Sequence, residues 1–399
     1  MTDTVASPSF AVFRKAVSVI ALIGLVVAAL LSGSDRQCLE FPSSPSYLGW
    51  PYDTGAARAK AALALVRTGP ASAIGFARRA ILSDPISAQA VSILGRSQLY
   101  AQHSLEARQA FQVAGQLGWR DALTQIYWLD QALQTADYNV AAERLDALLR
   151  QAPDDENRDR FLAAVASTPE GRTALAERLK LSPAWARTMV LQVRDLPPDQ
   201  VLQRVDIMRR TGRGVWDCPV SEGIAQKLIT LGMLDEAQTI WRLICEPSGA
   251  LVYDGGFEHL DTLKATTAFD WQVSNQGDAD IAITADRANN HSLSLETTAS
   301  VTLPIVRQLL VVKPGRYRLT WRLLQVDQAQ ARALKVSLAC KVDLSQAISG
   351  RPIAGMRDAW SADFMVDDEC PARELVFWLE PHVSIVLDDV TLAASDKGP

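Results

Sequence analysis

The chain has 399 residues, 48% of them hydrophobic, which is enough for two independent cores and too apolar for a disordered tail. A formal net charge of −5, with no Lys/Arg block beyond the short Arg209-Arg210 neighbourhood, excludes the electrostatic footprint of a nucleic-acid binder.

Residues 1–15 form a short N-terminus ending on Arg14-Lys15, and Ala16 to Ser34 then runs without a charge as far as Asp35-Arg36. At about 1.5 Å per helical residue this run just spans a hydrocarbon core of ~30 Å, and the basic pair before it predicts an N-terminus on the inside. The expectation is a single-pass inner-membrane anchor at 16–34 with the bulk of the chain in the periplasm. A cleaved signal peptide competes with it, because Ser32-Gly33-Ser34 offers small residues after an apolar core. Lipidation at Cys38 is set aside, since Asp35, Arg36 and Gln37 stand where small and apolar residues are needed. Residues 35–55 read as a linker.

From 56 to 249 the spacing predicts helix pairs separated by turns. Ala73, Ala107 and Ala141 recur every 34 residues, each with a small or apolar residue four and seven positions on: Ala77 and Ala80, Phe111 and Ala114, Leu145 and Leu148. Pro85 and Pro153 each follow their alanine by twelve residues, where a helix must stop. With Leu94-Gly95 and the Gly232 to Ala237 segment before Trp241, this pattern resembles the tetratricopeptide repeat. Trp119 replaces the family's proline, and Pro169, Pro183, Pro197 and Pro198 cut residues 153–217 into short helices without that register. The resemblance implies an α-solenoid that binds a peptide or an envelope protein partner on a concave face. A solenoid that only spaces or packs on its neighbour is the alternative.

Near residue 250 helical spacing gives way to alternation, as in Tyr317-Leu319-Trp321-Leu323 and Leu334-Val336-Leu338-Cys340. Further strands are predicted at Ile281–Thr284, Ser292–Glu296, Leu309–Val312, Phe364–Val366, Leu375–Glu380 and Ser384–Leu392. Many short strands within 250–394, before a tail at 395–399, suggest a β-sandwich and a multidomain α plus β chain. Cys218 with Cys245 and Cys340 with Cys370 each fall within one proposed domain and would form disulfides in an oxidising compartment; buried free thiols are the alternative.

Asp254-Gly255-Gly256-Phe257-Glu258, then Phe269 and Trp271, Pro314 to Tyr317, and Leu387-Asp388-Asp389-Val390 resemble, in that order, the jelly roll of carbohydrate-binding modules. The resemblance implies that the opening and closing strands lie side by side, and that Glu258 with Asp389 or Asp388 can hold a structural calcium; no other cofactor is required. Two acidic residues at a solvated sheet end are the plain alternative. A glycan ligand would need an exposed aromatic platform, for which Trp271 and Trp360 stand beside polar neighbours, whereas Trp321 belongs to the core and Trp378 is undecided. Arg318 and Arg322 could meet an acidic polysaccharide, or simply solvate a sheet.

The four histidines are scattered, and no HExxH, nucleophile elbow, Walker loop or dinucleotide fingerprint appears, which argues against an enzyme. Together the resemblances imply a non-enzymatic accessory scaffold for assembly or export of a cell-surface polysaccharide. The alternatives are an adaptor without a glycan ligand and a hydrolase hidden in the helical region.

Overall fold

A computed structural model of the protein describes residues 8–395 apart from 42–43, 45, 50–51, 154–156, 246–248, 262–266, 275–276, 287, 289, 325–327 and 357. The chain separates into two compact units, Met1–Ala174 and Leu175–Pro399. This division falls inside the helical region, not at residues 249/250 where the sequence pattern switches. The last helices share a unit with the sheets.

The first unit opens with α1, Pro8–Glu40, a helix whose stretch Phe13–Glu40 is long and apolar enough to cross a membrane or to serve as a signal sequence. The expected linker at 35–55 is corrected here, because α1 continues to Glu40 and α2 (Thr54–Arg67) begins before residue 55. The reason is a cap supplied from another helix. Asp53 at the α2 N-cap makes no capping bond, and the buried Asp35 carboxylate accepts instead from Gly55 N (2.7 Å) and Ala56 N (3.0 Å). Gly55 is required at this crossing, since a Cβ there would lie 2.3 Å from Asp35 O. Asp35→Ala is expected to cost about 1–2 kcal/mol by stripping two helix donors of their acceptor; the thermal midpoint of the first unit measures it.

Three helical hairpins follow. Their first helices, α2, α4 (Ala88–Tyr100) and α6 (Ala122–Gln134), start at 54, 88 and 122, and their second helices, α3 (Pro70–Ser83), α5 (Ser104–Leu117) and α7 (Tyr138–Leu149), start at 70, 104 and 138. Both series therefore repeat every 34 residues. The register residues Ala73, Ala77, Ala80, Ala107, Ala114, Ala141 and Leu145 are all fully buried, so the small side chains set the spacing between neighbouring helices. Two shorter helices, α8 (Arg158–Ala166) and α9 (Pro169–Leu179), come next.

In the second unit α10 (Trp185–Leu191) and α11 (Pro198–Thr211) start at or close behind prolines, α12 (Cys218–Thr230) starts on the Asp217 cap, and α13 (Leu234–Ile244) follows the Gly232-Met233 turn. A disulfide joins Cys218 at the head of α12 to Cys245 just past α13. The buried Trp241 of α13 meets Tyr253 edge-on, with centroids 5.6 Å apart, and Phe269 at 5.9 Å. Gln238 Nε2 donates to Val311 O at 2.9 Å. These contacts explain why the last helices belong with the strands.

The strands are β1 (Gln272–Val273), β2 (Ala279–Ala285), β3 (His291–Thr297), β4 (Leu303–Leu310), β5 (Gly315–Leu324), β6 (Leu334–Ala339), β7 (Ile348–Ser349), β8 (Arg351–Pro352), β9 (Ala359–Val366), β10 (Arg373–Leu379) and β11 (Ser384–Ala394), with a short α14 (Gln328–Arg332) before β6. They form two antiparallel sheets, β1-β4-β10-β6-β7 and β2-β3-β11-β5-β9-β8. Alternate residues of both, among them Leu295, Leu319, Trp321, Leu375, Phe377 and Leu387, share one core, so the pair is a sandwich. The strand expected at 309–312 lies at 303–310. Pro304 offers no N–H to the ladder, and the β4–β10 register shifts at Phe377/Trp378, next to it, which weakened the sequence signal. A second disulfide, Cys340–Cys370, closes the end of β6 onto the segment before β10.

Buried Gln308 of β4 ties the opening segment to the sandwich, accepting from Tyr253 N (3.0 Å) and donating to Tyr253 O (2.9 Å). Val390 N then donates to Gly255 O at 2.8 Å, so the opening and closing segments do lie side by side. A Cβ at Gly255 would sit 1.9 Å from Val390 O, which explains the glycine.

Candidate functional site

The tryptophans proposed as sugar platforms are core residues. Trp271 is 1% exposed and packs on Phe257 and Phe377, with its indole N–H donating to Asp254 O at 2.9 Å. Trp360 is 3% exposed and faces Trp321 across the β5–β9 ladder. A ring without an open face cannot stack on a sugar, so the platform expectation for both is corrected. Their polar neighbours misled because Gln272 and Asp363 stand on the opposite side of the strand alternation. Trp321 is core as expected, and Trp378 is buried too, donating to Ser337 Oγ at 2.9 Å.

Arg318 and Arg322 do stand outward, and each is held by carboxylates. Arg318 makes a two-point pair with Asp363 (2.7 and 3.2 Å), while Arg322 bridges Asp358 and Asp389, the latter at 3.1 Å. The hydrogen bonds with the arginines hold Asp358 and Asp363 below the usual carboxylate range. With Thr320 and Thr391, whose hydroxyls meet at 2.6 Å, these residues form a polar strip along β5, β9 and β11.

The three candidate calcium ligands turn to different partners. Glu258 accepts from His291 N (3.1 Å), buried Asp388 accepts from Asp389 N (2.8 Å) and Asn290 Nδ2 (3.2 Å), and Asp389 is the Arg322 partner just described. Burial pushes the Asp388 carboxyl above its ordinary pKa. Among the described residues no group of three or more His, Cys, Asp or Glu could hold a metal ion. A calcium takes six to eight oxygens, so a site here would need further oxygens beside these three carboxylates.

On the outward side of the other sheet, Glu374 of β10 is largely buried near Arg307, and the burial raises its pKa above the ordinary 4.5 despite the arginine. A raised folded value means that the protonated form favours folding, a contribution complete below 4.5 and lost as pH rises through the folded pKa. Glu374→Gln is therefore expected to match the parent protein in acid and to exceed its unfolding midpoint at pH 7.5, as denaturant titrations at the two pH values will measure.

An apolar concavity in the first unit is a groove of about 590 Å³ between α4, α5, α6 and α8. Its floor is built on Tyr127, which stacks on Phe111 with centroids 4.0 Å apart and planes 9° from parallel. Half-buried Ile126, Leu133 and Phe161 extend the floor, and exposed Arg96, Asp130 and Arg160 form its margin. Burial raises the Tyr127 hydroxyl pKa, so it stays a neutral donor. The sequence reading named Phe111 for its register alone and missed the rest. The available signal was the 126, 130, 133 spacing, which places these side chains on one face of α6.

No protein-family model and no curated protein matches this sequence. Among solved structures, the enzymatically active domain of bacteriophage CBA120 tailspike protein 4 is 14% identical over 39% of this chain with a TM-score of 0.27, and this chain spans 23% of that domain. TmCBM61, solved with beta-1,4-galactotriose, is 13% identical over 37% of this chain and 99% of its own, with a TM-score of 0.24. A CBM4 structure is 14% identical over 36% and 99%, with a TM-score of 0.25. Likeness at this level carries no argument about a ligand.

Proposed function

We propose that the protein is a non-enzymatic adaptor, anchored in the inner membrane by α1, that holds a partner protein on the periplasmic side. The single observation that carries this reading is the α4–α8 groove, whose apolar floor and charged margin of Arg96, Arg160 and Asp130 suit a partner segment offering an apolar anchor beside charged groups. The 34-residue recurrence of both helix series and the buried alanines support assigning the hairpins to the tetratricopeptide type. Arg14-Lys15 before the apolar run supports the orientation of the anchor, and two disulfides support an oxidising compartment for the rest.

The sandwich, in this reading a jelly roll of the carbohydrate-module type, has its tryptophans committed to the core and serves as a rigid body fused to α13. Its polar strip favours a second reading, in which hydroxyls and arginines meet an acidic cell-surface polysaccharide undergoing assembly or export. Such a polymer must compete with Asp358 and Asp363 for the arginines.

Affinity purification from the native envelope tests the groove. A protein recovered with the parent and lost with folded Leu133→Asp or Arg160→Glu supports the adaptor; identical recovery with both variants rejects it. Retention on acidic polysaccharide gels that disappears with Arg318→Ala plus Arg322→Ala would establish the second reading.

A further inference from the structure

From the direction in which α2 leaves α1, we infer that the turn end of the first hairpins rests in the headgroup layer of the bilayer that α1 crosses. The inference builds on the anchor reading. Asp35 is the first charged residue after the apolar run, so it lies at the edge of the hydrocarbon. Its carboxylate caps Gly55 and Ala56, and Cys38, one turn further along α1, is buried against Ala56 and Ala59. Residues 35 to 38 thus run alongside 55 to 59 in the same sense, and α2 points away from the bilayer while its first turn stays at the surface.

The turns that share this end follow from the hairpin order. Helix α3 returns antiparallel to α2, which brings its last turn and the α3–α4 connection back to the membrane, and α5 does the same for the α5–α6 connection. Arg79 of α3 reaches Asp53 ahead of α2 at 2.6 Å. Arg58 in the second turn of α2 donates to Ser87 Oγ and Gln89 Oε1, each at 3.3 Å, and a groove of about 920 Å³ joins Arg58, Ile86 and Gln89 to Trp119 and Arg120.

This end exposes apolar and aromatic side chains, as the opposite end does with Val66, Tyr100 and Leu105, and what sets it apart is its place level with the end of the apolar run of α1. Tyr52 is 73% exposed, Leu82 72%, Ile86 79% and Trp119 50%, and Trp119 carries the Arg144 guanidinium 4.0 Å from its ring centroid. Tyrosine, tryptophan and arginine are the residues that settle at a membrane interface, where a ring is buried while its polar edge and the cation stay among headgroups. Because the Asp35 and Cys38 contacts hold this end level with the end of the apolar run, its occupant is lipid headgroups.

The full chain carrying Cys38→Ala and a single new cysteine, Ile86→Cys, Leu82→Cys or Thr68→Cys, can be labelled with an environment-sensitive fluorophore and reconstituted into vesicles of mixed zwitterionic and anionic lipid. Blue-shifted emission and quenching by spin-labelled lipid at positions 86 and 82, with neither at 68 in the α2–α3 turn, is the expected result. Vesicle flotation with the label at 86 and 82 as water-exposed as that at 68 overturns the inference and leaves the anchor standing. Failure to float overturns both.

Discussion

Trp271→Ala is expected to lower the stability of the second unit by about 3–5 kcal/mol, the cost of emptying a core site of indole size. The ring is buried between Phe257 and Phe377, and its N–H holds Asp254 O at the turn that leads into Gly255. Removing it also takes one of two donors from that carbonyl, which keeps Phe257 N, and loosens the segment that Gln308 and Val390 hold against the sandwich. The measurement is a urea titration of the purified protein, read by near-ultraviolet circular dichroism of the sandwich. Any polysaccharide retention per folded molecule should stay unchanged, because the ring has no face to offer. A variant that keeps the parent's midpoint while losing glycan retention contradicts the packing described here.

That expectation also marks where sequence reading reached its end. Alternation located most of the strands, and it put Trp321 on the core side because its strand neighbours Leu319 and Leu323 share that side. It could not do the same for Trp271, which precedes the two-residue β1, or for Trp360, whose strand begins one residue earlier. At the ends of strands two periods are too few to define a face. The 34-residue recurrence was legible because Ala73, Ala107 and Ala141 sit where helices touch, and only small residues fit there. The groove was not, since its floor is assembled from α5, α6 and α8, and no spacing within one helix reveals what faces it from another. Asp35 shows the same limit, because a cap drawn from about twenty residues upstream leaves no mark beside the helix it caps.

Reduction of the two disulfides should have the larger combined effect. The pairs are separated by 27 and 30 residues, for which loss of the cross-link relaxes the unfolded chain by about 3.5 kcal/mol each. Domains of this kind are stable by roughly 5–15 kcal/mol in total, so losing both approaches the whole margin of a typical one. The two also act at separate places. Cys218–Cys245 holds α12 to α13, whose Trp241 is the contact with Tyr253 and Phe269, whereas Cys340–Cys370 holds the end of β6 beside β10. Thermal melts in dithiothreitol should therefore fall further than with either Cys218→Ser plus Cys245→Ser or Cys340→Ser plus Cys370→Ser, and the two paired variants should be nearly additive. Expression in a reducing cytosol should leave the second unit unfolded while the hairpins of the first keep their helical signal. A second unit that melts at the same temperature with and without reductant would show that neither bridge contributes, and with it the physical ground for an oxidising compartment would be gone.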